Sequence, residues 1–144
     1  MATTTQVGTM QVEVVSAEQE IFSGQASMLV ATGIAGELGI TPHHAPLLTQ
    51  LKPGDVRVFA ENGDEEVIYV SGGILEVTPQ MVTVLSDTAV RAEDLDEAAA
   101  LESQQRAQQA LADNRADIEW AKAKAELAQA AAQLAAIKKL KRRR

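Results

Sequence analysis

Val56-Arg57-Val58-Phe59-Ala60-Glu61-Asn62-Gly63-Asp64-Glu65-Glu66-Val67-Ile68-Tyr69-Val70 is the stretch on which the reading of this chain turns. Two short runs rich in β-branched residues flank Asn62-Gly63, a pair suited to the positive φ angles of a tight hairpin turn. Residues 56–60 and 67–70 are therefore expected to pair as antiparallel strands.

The same period-two pattern extends in both directions. From residue 10 to residue 86 apolar side chains recur in short runs broken by Gly, Pro, Asn and Asp, as in half-buried strands. The clearest further strands are 11–16, 27–32, 75–78 and 82–85, with others expected between them. Many short strands with no helical pattern between them predict two packed sheets, an antiparallel β-sandwich of about eighty residues.

Beyond residue 88 the composition changes. No Gly or Pro occurs from Arg91 to the end, and Ala, Gln, Glu and Lys dominate. Residues 1–88 are read as the β domain and residues 89–144 as helical. Glu93, Asp94 and Asp96 place negative charge where a first helical turn favours it. Asn114 followed by Asp117 resembles a capping pair and divides the region into two helices, an antiparallel hairpin.

In the second helix Trp120, Leu127 and Leu134 lie seven apart, interleaved with Ala123, Ala130 and Ile137, forming one narrow apolar seam. The first helix offers only Leu95, Leu101, Leu111 and alanines against it. Such a hairpin buries little apolar area and opens readily.

The charge is divided along the chain. Residues 1–90 carry two basic residues, Lys52 and Arg57, against eleven acidic ones, whereas residues 91–144 carry eleven basic and nine acidic. Six of those cations, Lys138, Lys139, Lys141, Arg142, Arg143 and Arg144, end the chain. The absence of cysteine excludes disulfides, thiolate metal sites and cysteine nucleophiles. Neither a signal peptide nor a membrane-spanning run is evident.

Other chemistry finds little support. Gly33, Gly36 and Gly39 lack the spacing of a phosphate-binding loop, and no Lys-Ser or Lys-Thr pair follows. His43 and His44, adjacent on extended backbone, point apart and have no Cys or spaced carboxylate to complete a metal site. Glu65 and Glu66, as strand neighbours, face opposite sides and cannot act on one bond. A nucleic-acid reading of the basic tail meets an acidic sandwich with few aromatic residues for stacking.

The segment Gly36-Glu37-Leu38-Gly39-Ile40-Thr41-Pro42-His43-His44-Ala45-Pro46-Leu47-Leu48-Thr49, with Leu51-Lys52-Pro53-Gly54, resembles the signature of the ε subunits of bacterial F-type ATP synthases. Residues 69–77 and 83–89 resemble the same family in order and spacing. The resemblance implies a non-catalytic central-stalk subunit of an H⁺-transporting complex, at the cytoplasmic face of the cell membrane and touching it only through that complex. It implies a sandwich docked on the γ subunit and the polar loops of the c ring. Its helices would fold against the sandwich or extend into the α and β subunits, where they restrain ATP hydrolysis. Glu37, Leu38, Gly39, Ile40 and His44 fall at interface positions of the family, and the basic tail faces an acidic segment of the β subunit. No cofactor is implied beyond ATP as a regulatory ligand of some members. The corresponding stretch here, Leu95-Asp96-Glu97-Ala98-Ala99-Ala100, keeps Asp96, with Arg91 nearby, but has Ala99 where those members have arginine.

Overall fold

The computed structural model describes residues 8–112 and 117–143, with residues 117–119 and 143 described by backbone alone. Nine strands come first: β1 (Met10–Ser16), β2 (Glu20–Ala26), β3 (Met28–Gly33), β4 (Gly36–Ile40), β5 (Leu47–Phe59), β6 (Glu65–Val70), β7 (Gly73–Val77), β8 (Met81–Ser86) and β9 (Ala89–Arg91). A 3₁₀ turn at Ala92–Asp94 leads into α1 (Glu97–Ala112) and α2 (Asp117–Arg143).

The hydrogen-bonded order β2-β1-β8-β7-β5-β3-β4 runs through a single long strand, β5, which also pairs with β6. Its first part, Leu47 to Leu51, pairs with β7, and its last part, Gly54 to Phe59, pairs with β6. Between them lie Lys52 and Pro53. On the β3 side, Ala31 faces Val56 while Gly33 faces Leu51, so β5 carries a wide bulge at this point. Proline gives no ladder donor, and a Cβ on Gly54 would press on Thr32 at 3.1 Å. The strand bends here and passes from one sheet layer to the other, as corner strands do.

Alternation then fills the core. Val12, Val14, Leu29, Ile40, Val56, Ile68, Val70, Leu75, Val77, Val82 and Val84 are buried between the layers. All strand pairs are antiparallel except β1 with β8, which run parallel, a departure from the all-antiparallel expectation. The chain reaches β8 only after building the other layer, so it can enter beside β1 in the same direction.

The hairpin between β5 and β6 forms as expected, but its turn is longer than a two-residue one. Ala60 N–H donates to Asp64 O at 2.8 Å, Gly63 N–H donates to Ala60 O at 3.0 Å, and the Asn62 side chain accepts from Asp64 N–H at 3.0 Å. Only Gly63 takes a positive φ, 91°. Asn62 stabilises the loop through its side chain instead.

The sheet also continues past residue 88. β9 pairs with β6 from Ala89 to Arg91, so three residues read as helical from composition are strand. The first α-helix starts at Glu97, not at Glu93, because Leu95 interrupts the 3₁₀ turn in an extended conformation. Two helices follow, as expected; the capping pair at Asn114 lies outside the described residues.

Candidate interaction surfaces

The two outer faces of the sandwich differ. On β6, Ile68 and Val70 point into the core, and Val67 and Tyr69 point out, where they join Ala92 and Ala136 as a second buried cluster with Leu95, Ala132 and Leu140 packed against it. Helix α2 is thus laid on this face. Its contact stripe, Ala132, Ala136 and Leu140, repeats every four residues. It is distinct from the heptad positions Ala123, Ala130 and Ile137, which are also buried.

The seam foreseen in α2 is therefore only half correct. Ala123, Ala130 and Ile137 are buried, while Leu127 and Leu134 are partly exposed and Trp120 is 42 % exposed. In α1 the buried residues are Ala100 and Ala107, also seven apart. Small side chains at these positions let the two helices approach closely and leave the larger ones at the margins.

A charged contact fastens α2 to the sheet. Lys139 Nζ donates to both carboxylate oxygens of Asp55, each at 2.7 Å, and Asp55 is buried. Arg57 lies alongside, its Nε 3.5 Å from Asp55 and its guanidinium 3.4 Å from Glu37. Tyr69, beneath the helix, has its hydroxyl pKa raised by burial, an effect opposed by a hydrogen bond with Gln133. Lys141 reaches Glu97 of α1 at 2.7 Å. Two of the six cations of the basic tail are thereby engaged within the chain. Lys138 and Arg142 are exposed, and the side chains of Arg143 and Arg144 lie outside the described residues.

The opposite layer presents a bare face. Ile74 and Leu85 are direct cross-strand partners on β7 and β8, both pointing outward and more than two-fifths exposed. Val15 of β1 stands opposite Leu85, and Gln50 of β5 opposite Ile74. Ile34, 52 % exposed, joins this end through its N–H bond to Gln50 O. Leu48, 71 % exposed, lies one row along. A shallow recess is lined by Val15, Ala17, Ile74 and Leu85 together with Ser16, Ser86 and Asp87, and Gln50 separates this apolar group from Ile34. Period-two alternation contained this signal, because Ile74 and Leu85 fall on the solvent face of their strands.

The expected interface residues occupy β4 and the loop after it. Glu37 is exposed, Leu38 packs partly on the core, and Gly39 is exposed above Met28. Ile40 is 1 % exposed and belongs to the core, so its side chain is not offered to a partner. His44 N–H bonds to Thr41 O at 3.2 Å across a turn with Pro42 second and His43 third, at φ 66°. That is the pattern of a type II turn. The His44 ring nitrogen Nδ1 donates to Ala45 O at 2.7 Å. The histidines build a loop, and no metal-binding group occurs among the described residues.

Arg91 and Asp96, the nucleotide candidates, have local roles. Arg91 pairs with Glu66 and donates to Ile21 O at 2.6 Å. Asp96 Oδ1 accepts from Ala99 N–H at 3.1 Å, capping α1. Beside Arg91 runs a cleft of about 440 Å³ whose lining includes Asp64, Glu65, Glu66 and Glu93 with apolar Phe22, Val58, Val67 and Leu140, and its excess of carboxylates disfavours phosphate. Each of the two side chains is engaged by neighbours of its own, Arg91 by Glu66 and Asp96 by the first turn of α1.

A sandwich with one covered and one bare face, carrying a helical pair on the covered one, has the form of an interaction module. Residues 9–92 match the ATP synthase, Delta/Epsilon chain, beta-sandwich domain, and residues 93–138 match the ATP synthase, Delta/Epsilon chain, long alpha-helix domain. The chain belongs to the ATP synthase delta/epsilon chain family. Its end-to-end likeness within that family is to bacterial epsilon chains, non-catalytic subunits of the complex. It is 58 % identical over 137 residues to the ATP synthase epsilon chain of Alkalilimnicola ehrlichii, covering 95 % of this chain and 98 % of that one. It is 56 % identical over 137 residues to that of Acinetobacter baumannii, covering 95 % and 99 %. The fold is shared with a chain of the Euglena gracilis mitochondrial ATP synthase, OSCP/F1/c-ring (TM-score 0.82, 19 % identity, 90 % of this chain and 82 % of that one). A chain from the central stalk and c ring of the Tetrahymena thermophila mitochondrial ATP synthase is also similar in fold (TM-score 0.58, 16 % identity, 89 % and 96 %). Among the described residues no helix is long and apolar enough to cross a membrane.

Proposed function

We propose that this chain is a rotor subunit that couples proton-driven rotation to ATP synthesis, and that its two helices restrain ATP hydrolysis when they leave the sandwich. The observation that carries this reading is the asymmetry of the two faces. One layer exposes Leu85 and Ile74 beside partly exposed Val15, with Ile34 beyond Gln50, an apolar group suited to permanent docking. The other holds α2 through a small alanine-rich cluster and the Lys139–Asp55 pair, suited to release.

In this reading the bare face and the β4 loop region, with Glu37, Leu38, Gly39 and His44, meet the γ subunit and the polar loops of the c ring. Released α2, 27 residues long, spans about 40 Å at 1.5 Å per residue. It carries Lys138, Lys139, Lys141, Arg142, Arg143 and Arg144 toward acidic surfaces of the α and β subunits. The subunit works at the cytoplasmic face of the bacterial cell membrane and touches lipid only through the complex. It takes no cofactor. ATP as a regulatory ligand finds little support, since Asp96 is spent on its helix and Arg91 on Glu66.

The test is ATP hydrolysis by the matching epsilon-depleted catalytic complex, with the full chain added or a chain ending at Asp94, which keeps all nine strands. The full chain should bind and slow hydrolysis, and the shortened chain should bind without slowing it. Equal inhibition by both would remove the helical brake; binding by neither would remove the docking assignment.

A further inference from the structure

Four charged side chains form an alternating line from the sandwich surface to the last helix. Glu37 on β4 is exposed, with its carboxylate 3.4 Å from the Arg57 guanidinium. Arg57 Nε sits 3.5 Å from Asp55. Asp55 in turn receives Lys139 of α2 at 2.7 Å. Glu37 is the exposed end, its side chain 60 % accessible, whereas that of Asp55 is 8 % accessible. Arg57 Nε is the one buried side-chain polar atom without a hydrogen bond among the described residues. Arg57 is thus shared between two carboxylates and fully satisfied by neither.

From this arrangement we infer that the charge on Glu37 sets how firmly α2 is held, through Arg57 and Asp55. With all four present the line is neutral and alternates in sign, so Lys139 faces a carboxylate only partly neutralised by Arg57. When the charge of Glu37 is removed or covered, Arg57 is free to turn wholly to Asp55. Two cations then compete for one carboxylate in a partly desolvated place, and the lysine, the member that can leave with its helix, is held less well. A lysine or arginine of a partner surface seated on Glu37 has the same effect as deleting its charge. The acidic balance of residues 1–90 favours a cationic partner there. Occupancy at the β4 edge is in this way linked to release of α2 on the other side of β5. By the reciprocity of linkage, release of α2 strengthens binding of the cation at Glu37.

This inference rests on the reading that α2 can leave the sandwich, and the experiment separates the two. The chain has no cysteine, so spin labels can be placed at Glu61→Cys and Gln129→Cys, both exposed. Distances between them are measured in the full chain at neutral pH, with circular dichroism as the check on folding. Glu37→Gln should raise the ratio of released to docked chains about two- to fivefold, the lower end of coupling within one charged network. The same change made on top of Arg57→Met should leave the ratio unmoved. If Glu37→Gln has no effect while Lys139→Met releases the helix, the relay is overturned and the movable hairpin stands. An equal Glu37→Gln effect with and without Arg57 also overturns the relay. If Lys139→Met leaves every distance unchanged, the movable hairpin fails and the relay with it.

Discussion

Lys139 Nζ lies 2.7 Å from each carboxylate oxygen of Asp55, a residue 84 positions earlier in the chain. This pair joins the end of α2 to the corner strand β5, beside the cluster of Val67, Tyr69, Ala132, Ala136 and Leu140. The pair is only partly buried on the lysine side, where 33 % of the side chain is accessible. Its loss should cost about 1–3 kcal/mol of helix docking, less than for a fully buried pair. Lys139→Met should therefore accelerate amide exchange in residues 130–142 about five- to a hundredfold, while exchange in β1 and β8 stays as in the parent chain.

Tyr69 gives docking a pH dependence at the alkaline end. Burial raises its pKa in the folded protein, the Gln133 hydrogen bond opposing this. The folded state thus holds the phenolic proton more tightly than the unfolded state, whose tyrosine titrates at about 10. The stability tied to that proton is fully present below about pH 10 and is lost as pH rises through the folded value. The chain has a single tyrosine, so the rise of phenolate absorbance reads it directly. Titration should begin at higher pH in the parent chain than in Lys139→Met.

Gly73 should tolerate no side chain. Its φ is 133°, and an added Cβ would collide with the backbone carbonyl of Leu85 on the neighbouring strand. Backbone cannot yield as a flexible side chain can. Gly73→Ala should destabilise the sandwich by about 3 kcal/mol or more, lowering the urea midpoint of the whole domain. Gly63→Ala, with open space around its Cβ but φ 91°, should cost about 1 kcal/mol.

Ala107, 1 % exposed on α1, is a small residue required by a close approach. Ala107→Leu should strain the hairpin by about 1–3 kcal/mol. The expected outcome is an earlier melt of helical ellipticity at 222 nm, with the sandwich transition unmoved.

Leu85 on the bare face should matter to assembly and not to folding. It is 46 % exposed and opposes Ile74. Leu85→Asp should weaken binding to the epsilon-depleted complex tenfold or more, as for a central apolar contact, with the urea midpoint of the isolated chain changed little. Retained affinity would move the docking face elsewhere.

Much of this architecture is legible in local pattern. The hairpin around Gly63, the alternation that buries Val82 and Val84, and the switch to alanine-rich helix all follow from residues within a few positions of one another. The resemblance carried by residues 36–54 points to the family without reference to any geometry. Ile40 shows the limit of such transfer, since a motif position does not tell whether its side chain faces a partner or the core. Arg91 shows it again: its partner, Glu66, is visible only once β6 and β9 are placed, whereas Asp96 caps its own helix three residues on.

By itself the sequence determined the β-sandwich and the helical pair, because each depends on periodicity and propensity over short spans of chain. Only the tertiary structure decided that β5 bends to serve both layers, that β1 and β8 run parallel, and that α2 lies on β6 through Ala132, Ala136 and Leu140. It alone joined Glu37, Arg57, Asp55 and Lys139 into one line. The reason is physical: a charged side chain's local pattern is equally satisfied by water, and its partner is chosen by the closure of long loops around a core that other residues build.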